Sequence, residues 1–293
     1  MYNGWINLNK EKGVSSAKAV NALKKILGVS KAGYAGTLDP LATGVLPVAI
    51  GEATKTMSFA MNAKKTYEFD VSWGISTDTD DLEGDIIATN LIRPSKDNIN
   101  SNLKKFIGEI DQKPPIYSAI KVNGQRSYKL ARKNVEFETK SRKVVIDKFK
   151  LLKYISPDKA RFFVECSKGV YVRSIARDLA KLMGTYGHIT YLKRLAVGTF
   201  FYKDAILLAD CLKLVDKAKI LDILKPLSFV LDDIPAIDID ESKAKLLSMG
   251  QKISTDKRIV KDKSSVFISC NAKPIALAKI ENKEILPFRI FNN

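Results

Sequence analysis

Asp39 stands ahead of Pro40 in the run Gly33-Tyr34-Ala35-Gly36-Thr37-Leu38-Asp39-Pro40, a loop punctuated by Gly33, Gly36 and Gly44. A residue before proline is pushed to extended backbone, and nearby glycines let another segment approach closely, so this carboxylate can be held rigid and exposed. A rigid, exposed carboxylate can serve as a nucleophile or a proton acceptor. The same residues also fit an ordinary turn in which the aspartate bonds its own backbone. Asp78, Asp80 and Asp81 form a second acidic group, suited by composition to a hard cation or simply to a polar hairpin turn. The single histidine, His188, leaves little scope for imidazole metal sites or a Ser-His-Asp triad. Cys166, Cys211 and Cys270 are widely spaced and odd in number, which suggests neither a disulfide framework nor a thiolate site.

Around these groups the chain is strongly basic. Lys and Arg number 49 against 32 Asp and Glu, a net charge of +17, which points to a polyanionic partner. No apolar run reaches the roughly 20 residues that span a bilayer, so nucleic acid is favoured over membrane. The first residues, Met1-Tyr2-Asn3-Gly4-Trp5, lack the basic start and apolar core of a signal peptide, and a cytoplasmic location is expected. With 293 residues, 45% of them hydrophobic, the chain can bury a large core with a small companion domain.

Patterning predicts the elements that must position the acidic groups. Residues 4–9 read as a strand, and 17–27 as a helix with Val20, Leu23, Ile26 and Leu27 on one face. Ser15 or Ser16 is the candidate cap of that helix, and Gly28 its stop. Apolar 45–50 follows the glycine loop, and 66–74 alternates with period two. Further strands are predicted at 143–146 and 160–166, and helices at 96–107, 172–183 and 208–214. The irregular interleaving indicates an α+β domain with a mixed sheet flanked by helices. Near residue 233 the character changes to short strand-like runs such as 265–269 and 275–280, so the expected division is 1–232 and 233–293.

The run from Gly33 to Leu46, followed by Gly51-Glu52-Ala53-Thr54-Lys55, resembles the signature loop of the TruB family of tRNA pseudouridine-55 synthases. Three further segments agree in order and separation. They are Gln112-Lys113-Pro114-Pro115-Ile116-Tyr117-Ser118-Ala119-Ile120-Lys121-Val122-Asn123-Gly124, Cys166-Ser167-Lys168-Gly169-Val170-Tyr171-Val172-Arg173-Ser174-Ile175, and Leu192-Lys193-Arg194-Leu195. The resemblance implies a mainly antiparallel pseudouridine synthase sheet and a cofactor-free, metal-free isomerase that flips a T-loop uridine out of tRNA. It makes Asp39 the catalytic residue, Tyr67 the aromatic that stacks on the flipped base and assists at C5, and Arg173 the cation that keeps Asp39 ionised. It also links Asp81 to Arg173, and places Tyr171 and Leu192 in the uracil pocket. Lys10, Tyr34 and Lys55 are the remaining expected substrate contacts.

Lys10, Lys55, Lys64, Lys65, Lys121, Arg126, Arg132, Lys133, Arg142 and Lys143 are expected at the surface, sharing the RNA phosphates. Three positions depart from the family pattern: Tyr34 replaces a common histidine, Asn9-Lys10-Glu11 replaces Asp-Lys-Pro, and Val170 replaces a frequent threonine. Met249-Gly250-Gln251-Lys252-Ile253 and the last strands are similar to a PUA module, a small β-barrel that grips the tRNA acceptor arm. An RNA chaperone without catalysis and a metal-dependent nuclease are the competing readings. Intact Asp39, Tyr67 and Arg173 disfavour the first, and the lack of a second acidic cluster disfavours the second. The compact form favours a stand-alone enzyme over relatives that need guide RNA and partner proteins.

Overall fold

The computed structural model describes residues 2–122, 124–133, 135, 137–213, 217–255 and 265–292. Ten strands form the main sheet. Along its path they run Ile206–Leu207, Gly4–Lys10, Thr43–Ile50, Gly187–Val197, Lys65–Trp73, Lys159–Cys166, Arg142–Ser156 and Gly108–Gln112. The short strands Ala32–Tyr34 and Phe200–Phe201 attach to Thr43–Ile50 and Gly187–Val197 respectively. Pairing is antiparallel except where Gly4–Lys10 meets Ile206–Leu207 and where Gly187–Val197 meets Thr43–Ile50. The mixed, mainly antiparallel α+β sheet expected from the sequence is therefore present.

Helix Ser16–Leu27 forms as its periodicity predicts, burying Ala19, Val20, Leu23 and Leu27 and ending at Gly28, whose φ of 63° is left-handed. Ser15 is its cap, its hydroxyl accepting from the Lys18 amide, while Ser16 is buried and turned to another task described below. Helix Val172–Leu182 packs Ile175, Ala176, Leu179 and Ala180 into the same core as Phe69, Val71, Trp73 and Phe162 of the sheet.

Several elements differ from expectation. The strand predicted at 143–146 runs over Arg142–Ser156, and it carries bulges near Ile146/Lys148, Leu151/Lys153 and Tyr154/Ser156. Each bulge resets the two-residue alternation, which hides the length of the strand in the sequence. Gly187–Val197, next to the centre of the sheet, is not predicted at all. It carries His188, Lys193 and Arg194 among its apolar residues and breaks register twice against Lys65–Trp73. The helix predicted at 96–107 is Lys96–Leu103 followed by a 3-10 turn, Lys104–Phe106. That at 208–214 is Leu208–Lys213, and residue 214 lies outside the described residues.

Residues from Ala236 onward build a second, five-stranded sheet in the order Ala236–Asp238, Ser265–Cys270, Lys273–Glu281, Glu284–Ile290 and Ile253–Ser254, with helix Glu241–Ser248 against it. This is the PUA-like arrangement implied by the resemblance. The module is seated on the main body. Leu277 and Phe291 share a buried cluster with Trp5, Ala53, Val197 and Phe200, and the Lys55 ammonium donates to the Ile290 carbonyl at 2.6 Å.

Candidate active site

Asp39 is held through its backbone neighbours, Leu38 and Pro40, by three residues from outside its loop, Ser16, Gly13 and Lys10. The buried Ser16 hydroxyl accepts from the Leu38 amide and donates to the Leu38 carbonyl, both at 2.9 Å. On the other side the Pro40 carbonyl accepts from the Gly13 amide at 2.8 Å and from the Lys10 ammonium at 3.2 Å. Gly36, at φ 84°, turns the loop. The backbone on both sides of Asp39 is thus pinned, and the carboxylate stays about one-third exposed.

Arg173 meets that carboxylate in a fork. Its Nε donates to Asp39 Oδ2 at 2.9 Å and its Nη2 to Oδ1 at 3.3 Å. The remaining donors go to the Thr79 carbonyl at 2.8 Å and the Tyr117 carbonyl at 2.9 Å, and Asp81 Oδ2 lies 3.5 Å from Nε. A guanidinium whose donors are shared among a carboxylate and two carbonyls has little freedom, so it fixes the orientation of Asp39 as well as its charge. Far from being a solvated surface charge, Arg173 is buried at 4% exposure. Its helix start is anchored by the Gln112-Lys113 motif. The Gln112 side chain bonds both the amide and the carbonyl of Tyr171, and Ser174 Oγ donates to the Lys113 carbonyl at 2.8 Å.

The acidic turn diverges instead of converging on a cation. Asp78 Oδ1 accepts from the Asp85 amide, Asp80 pairs with Arg177 at 2.9 Å, and Asp81 accepts from the Thr79 hydroxyl at 2.6 Å and the Glu83 amide at 3.0 Å. Asp80 takes φ 61°, a left-handed value that aspartate tolerates, and its carbonyl accepts from the Ile189 amide, which ties the turn to the sheet. Burial raises Asp80 to about 6 against the opposing pull of Arg177, and also raises Asp81.

Two hollows meet at Asp39. One, of about 570 Å³, is lined by Tyr67, Tyr171, Leu192, Arg194, Lys65 and Arg142 among others. The other, of about 690 Å³, is lined by Tyr34, Asp81, Tyr117, Arg126, Tyr128 and Arg132 among others. Leu38, Asp39, Ser118, Ala119 and Arg173 belong to both. The structure therefore brings Asp39, Tyr67, Arg173, Asp81, Tyr171 and Leu192 together, with Tyr34 facing the second hollow. Burial pushes the Tyr67 phenol up to about 12 against the pull of Arg194, so it stays neutral through the ordinary pH range. The Tyr171 ring lies under the Arg142 guanidinium, 4.9 Å from ring centroid to the guanidinium carbon.

Three lysines expected at the surface are engaged by the protein itself. Lys10 is 1% exposed, and its ammonium donates to the carbonyls of Glu11, Val14 and Pro40. Lys65 is likewise buried, donating to the carbonyls of Met61 and Ala63 at 2.5 Å. Burial lowers each of them to about 8. Lys55 pairs with Glu52 at 2.5 Å and with Ile290 across the domain seam, and it lies outside both hollow linings. Composition cannot separate a buried ammonium satisfied by carbonyls from an exposed one, which is why these positions read as surface charge. Lys64, Lys121, Arg126, Arg132, Lys133, Lys143 and Lys168 are exposed.

Arg194 lines the site although its sequence context does not mark it as a site residue. It is in register with Gly44 on one neighbouring strand and Tyr67 on the other, and is buried at 1% exposure. Its sequence signal is the Leu192-Lys193-Arg194-Leu195 motif itself, in which the resemblance implies a pocket role for Leu192 alone.

Comparison with known proteins identifies the family of the chain. Residues 24–172 match the model of the TruB family pseudouridylate synthase N-terminal domain. The tRNA pseudouridine synthase B of Ehrlichia ruminantium is 45% identical, covering 99% of both chains, and that of Rhodospirillum rubrum is 44% identical over 99% of this chain and 96% of its own. Among solved structures, the archaeal box H/ACA sRNP Nop10-Cbf5 complex aligns with a TM-score of 0.75 at 22% identity, over 99% of this chain and 86% of that one. An H/ACA RNP bound to a substrate RNA containing 2'-deoxyuridine gives 0.74 at 23%, over 99% and 85%. These two likenesses speak to the fold, whereas the family match and the full-length relatives speak to descent. On that ground the chain belongs to the TruB family of pseudouridylate synthases.

Proposed function

We propose that the protein converts the T-loop uridine at position 55 of tRNA to pseudouridine, acting in the cytoplasm without guide RNA, partner protein or cofactor. One observation carries the reading: a carboxylate gripped by a buried arginine fork, Asp39 by Arg173, at the meeting point of two hollows with Tyr67 on the wall of one. The names of the full-length relatives supply the substrate class. The cleft can replace the stacking lost by a flipped uracil with the Tyr67 ring and the apolar Leu192 surface. In this reading Asp39 attacks the ribose or base, or removes a ribose proton; Arg173 and Asp81 set its orientation; Tyr171 and Leu192 hold the base; and Tyr34 contacts the RNA from the second hollow. The exposed lysines and arginines and the C-terminal module contact the backbone of the T-arm and acceptor arm.

Purified protein with an unmodified tRNA transcript, and nothing else added, should form pseudouridine at the T-loop site. Binding without product at enzyme excess would favour an RNA chaperone instead. Asp39→Asn keeps shape but removes the charge, and should abolish turnover while tRNA affinity stays within about threefold, since phosphate contacts dominate affinity. Turnover near the wild-type rate in that variant would place the chemistry elsewhere.

A further inference from the structure

Two of the arginines lining the cleft, Arg173 and Arg194, are buried, and their charges are treated differently. Arg173 is neutralised by Asp39 and Asp81. Arg194 has neutral acceptors. Its Nε donates to the Val45 carbonyl at 2.7 Å and its Nη2 to the Gly36 carbonyl at 2.9 Å, and Tyr67 stands opposite it in register on the neighbouring strand. A buried cation without a carboxylate is costly, and a hydrophobic residue would fill the same space at less cost. The fold nevertheless makes room for it. A Cβ on Gly44 would come within 2.3 Å of the Arg194 carbonyl oxygen, and one on Gly36 within 3.2 Å of its Nη1. Both glycines have positive φ. The strand thus approaches Gly44 backbone to backbone, and the guanidinium is held by the Gly36 and Val45 carbonyls against the turn that carries Asp39, on the cleft wall that it shares with Tyr67.

An uncancelled charge in a low-dielectric wall acts strongly on charge that develops beside it. Isomerisation of uridine breaks N1–C1', makes C5–C1', removes the proton at C5 and adds one at N1. No electron acceptor is needed, because the ring carries the N1–C1' electron pair between the two bonds. Resting on the isomerase reading, we propose that Arg194 is a positioning residue of this reaction: it fixes the Tyr67 phenol against the base and keeps a positive charge beside the detached, electron-rich ring. Its burial, which favours the neutral form, is tolerated because the guanidinium loses a proton only far above neutral pH.

The test compares wild type, Arg194→Gln and Arg194→Lys in single-turnover assays on tRNA carrying uridine or 5-fluorouridine at the target. Wild type must form pseudouridine from the uridine substrate; failure there removes the isomerase reading itself. Folded Arg194→Gln should cleave the uridine glycosidic bond about 100-fold more slowly, with tRNA Kd within threefold of wild type. Arg194→Lys should recover about tenfold of that loss. The deficit of Arg194→Gln should shrink on 5-fluorouridine, because the fluorine itself withdraws charge from the ring. A brace that only holds the fold would cost both substrates equally. Equal deficits, or a rate within threefold of wild type, overturn the proposal. Should Arg194→Gln not fold, Arg194→Met carries the same comparison.

Discussion

Asp39 and Arg173 lie 134 positions apart, yet their contact places a carboxylate within hydrogen-bond reach of a buried guanidinium. Turn chemistry in the sequence leaves Asp39 between a catalyst and a structural turn, and only the ordered motifs join it to Arg173 and Tyr67. What the residue types do not reveal is burial. Lys10 and Lys65 look like ordinary basic surface residues, but the fold withdraws both from water, with a measurable consequence. Each is lowered from 10.5 to about 8, so as pH rises the folded protein releases these protons before the unfolded chain does. Their contribution to stability is therefore full above 10.5 and falls away as pH drops through about 8. Urea unfolding at pH 7.5 and 9.5 should show that difference, and Lys65→Met should flatten it. An unchanged slope in Lys65→Met would mean that its ammonium is not the group titrating.

At the level of elements, the site depends on strands that meet too closely for side chains. Gly44 takes φ 102° and faces the Arg194 backbone. Gly44→Ala combines an unfavourable backbone conformation with a backbone clash and should cost at least about 3 kcal/mol in denaturant unfolding. A loss under 1 kcal/mol would show that the two strands separate easily. The glycine was visible in the sequence as loop punctuation, but its partner was not, because Gly187–Val197 carries polar residues and two register shifts. Ser16 gives the converse lesson. It was one of two candidate caps, and the neighbouring Ser15 takes that role, which frees Ser16 to bond both polar groups of the Leu38 backbone.

Across the whole molecule, Lys55 shows how a family motif can serve the seam between sheets. Together with Glu52, which accepts from the Asn292 amide at 2.8 Å, it stitches the last strand to the turn Gly51–Thr56. Lys55→Met should speed hydrogen exchange at the amides from Glu284 to Asn292 and lower Tm by a few degrees, about the worth of one charged hydrogen bond. Exchange unaltered there would mean that the apolar cluster around Phe291 and Leu277 holds the module unaided.

The same broad view gives meaning to the meeting of two hollows at Asp39. In the proposed complex a nucleic-acid strand seated there occupies both, with one nucleotide in the first hollow and its neighbours in the second. In that arrangement exchange of the target nucleotide goes by release of the strand from both hollows. An enzyme built this way does not scan along its polymer, and each product is reached by a fresh encounter.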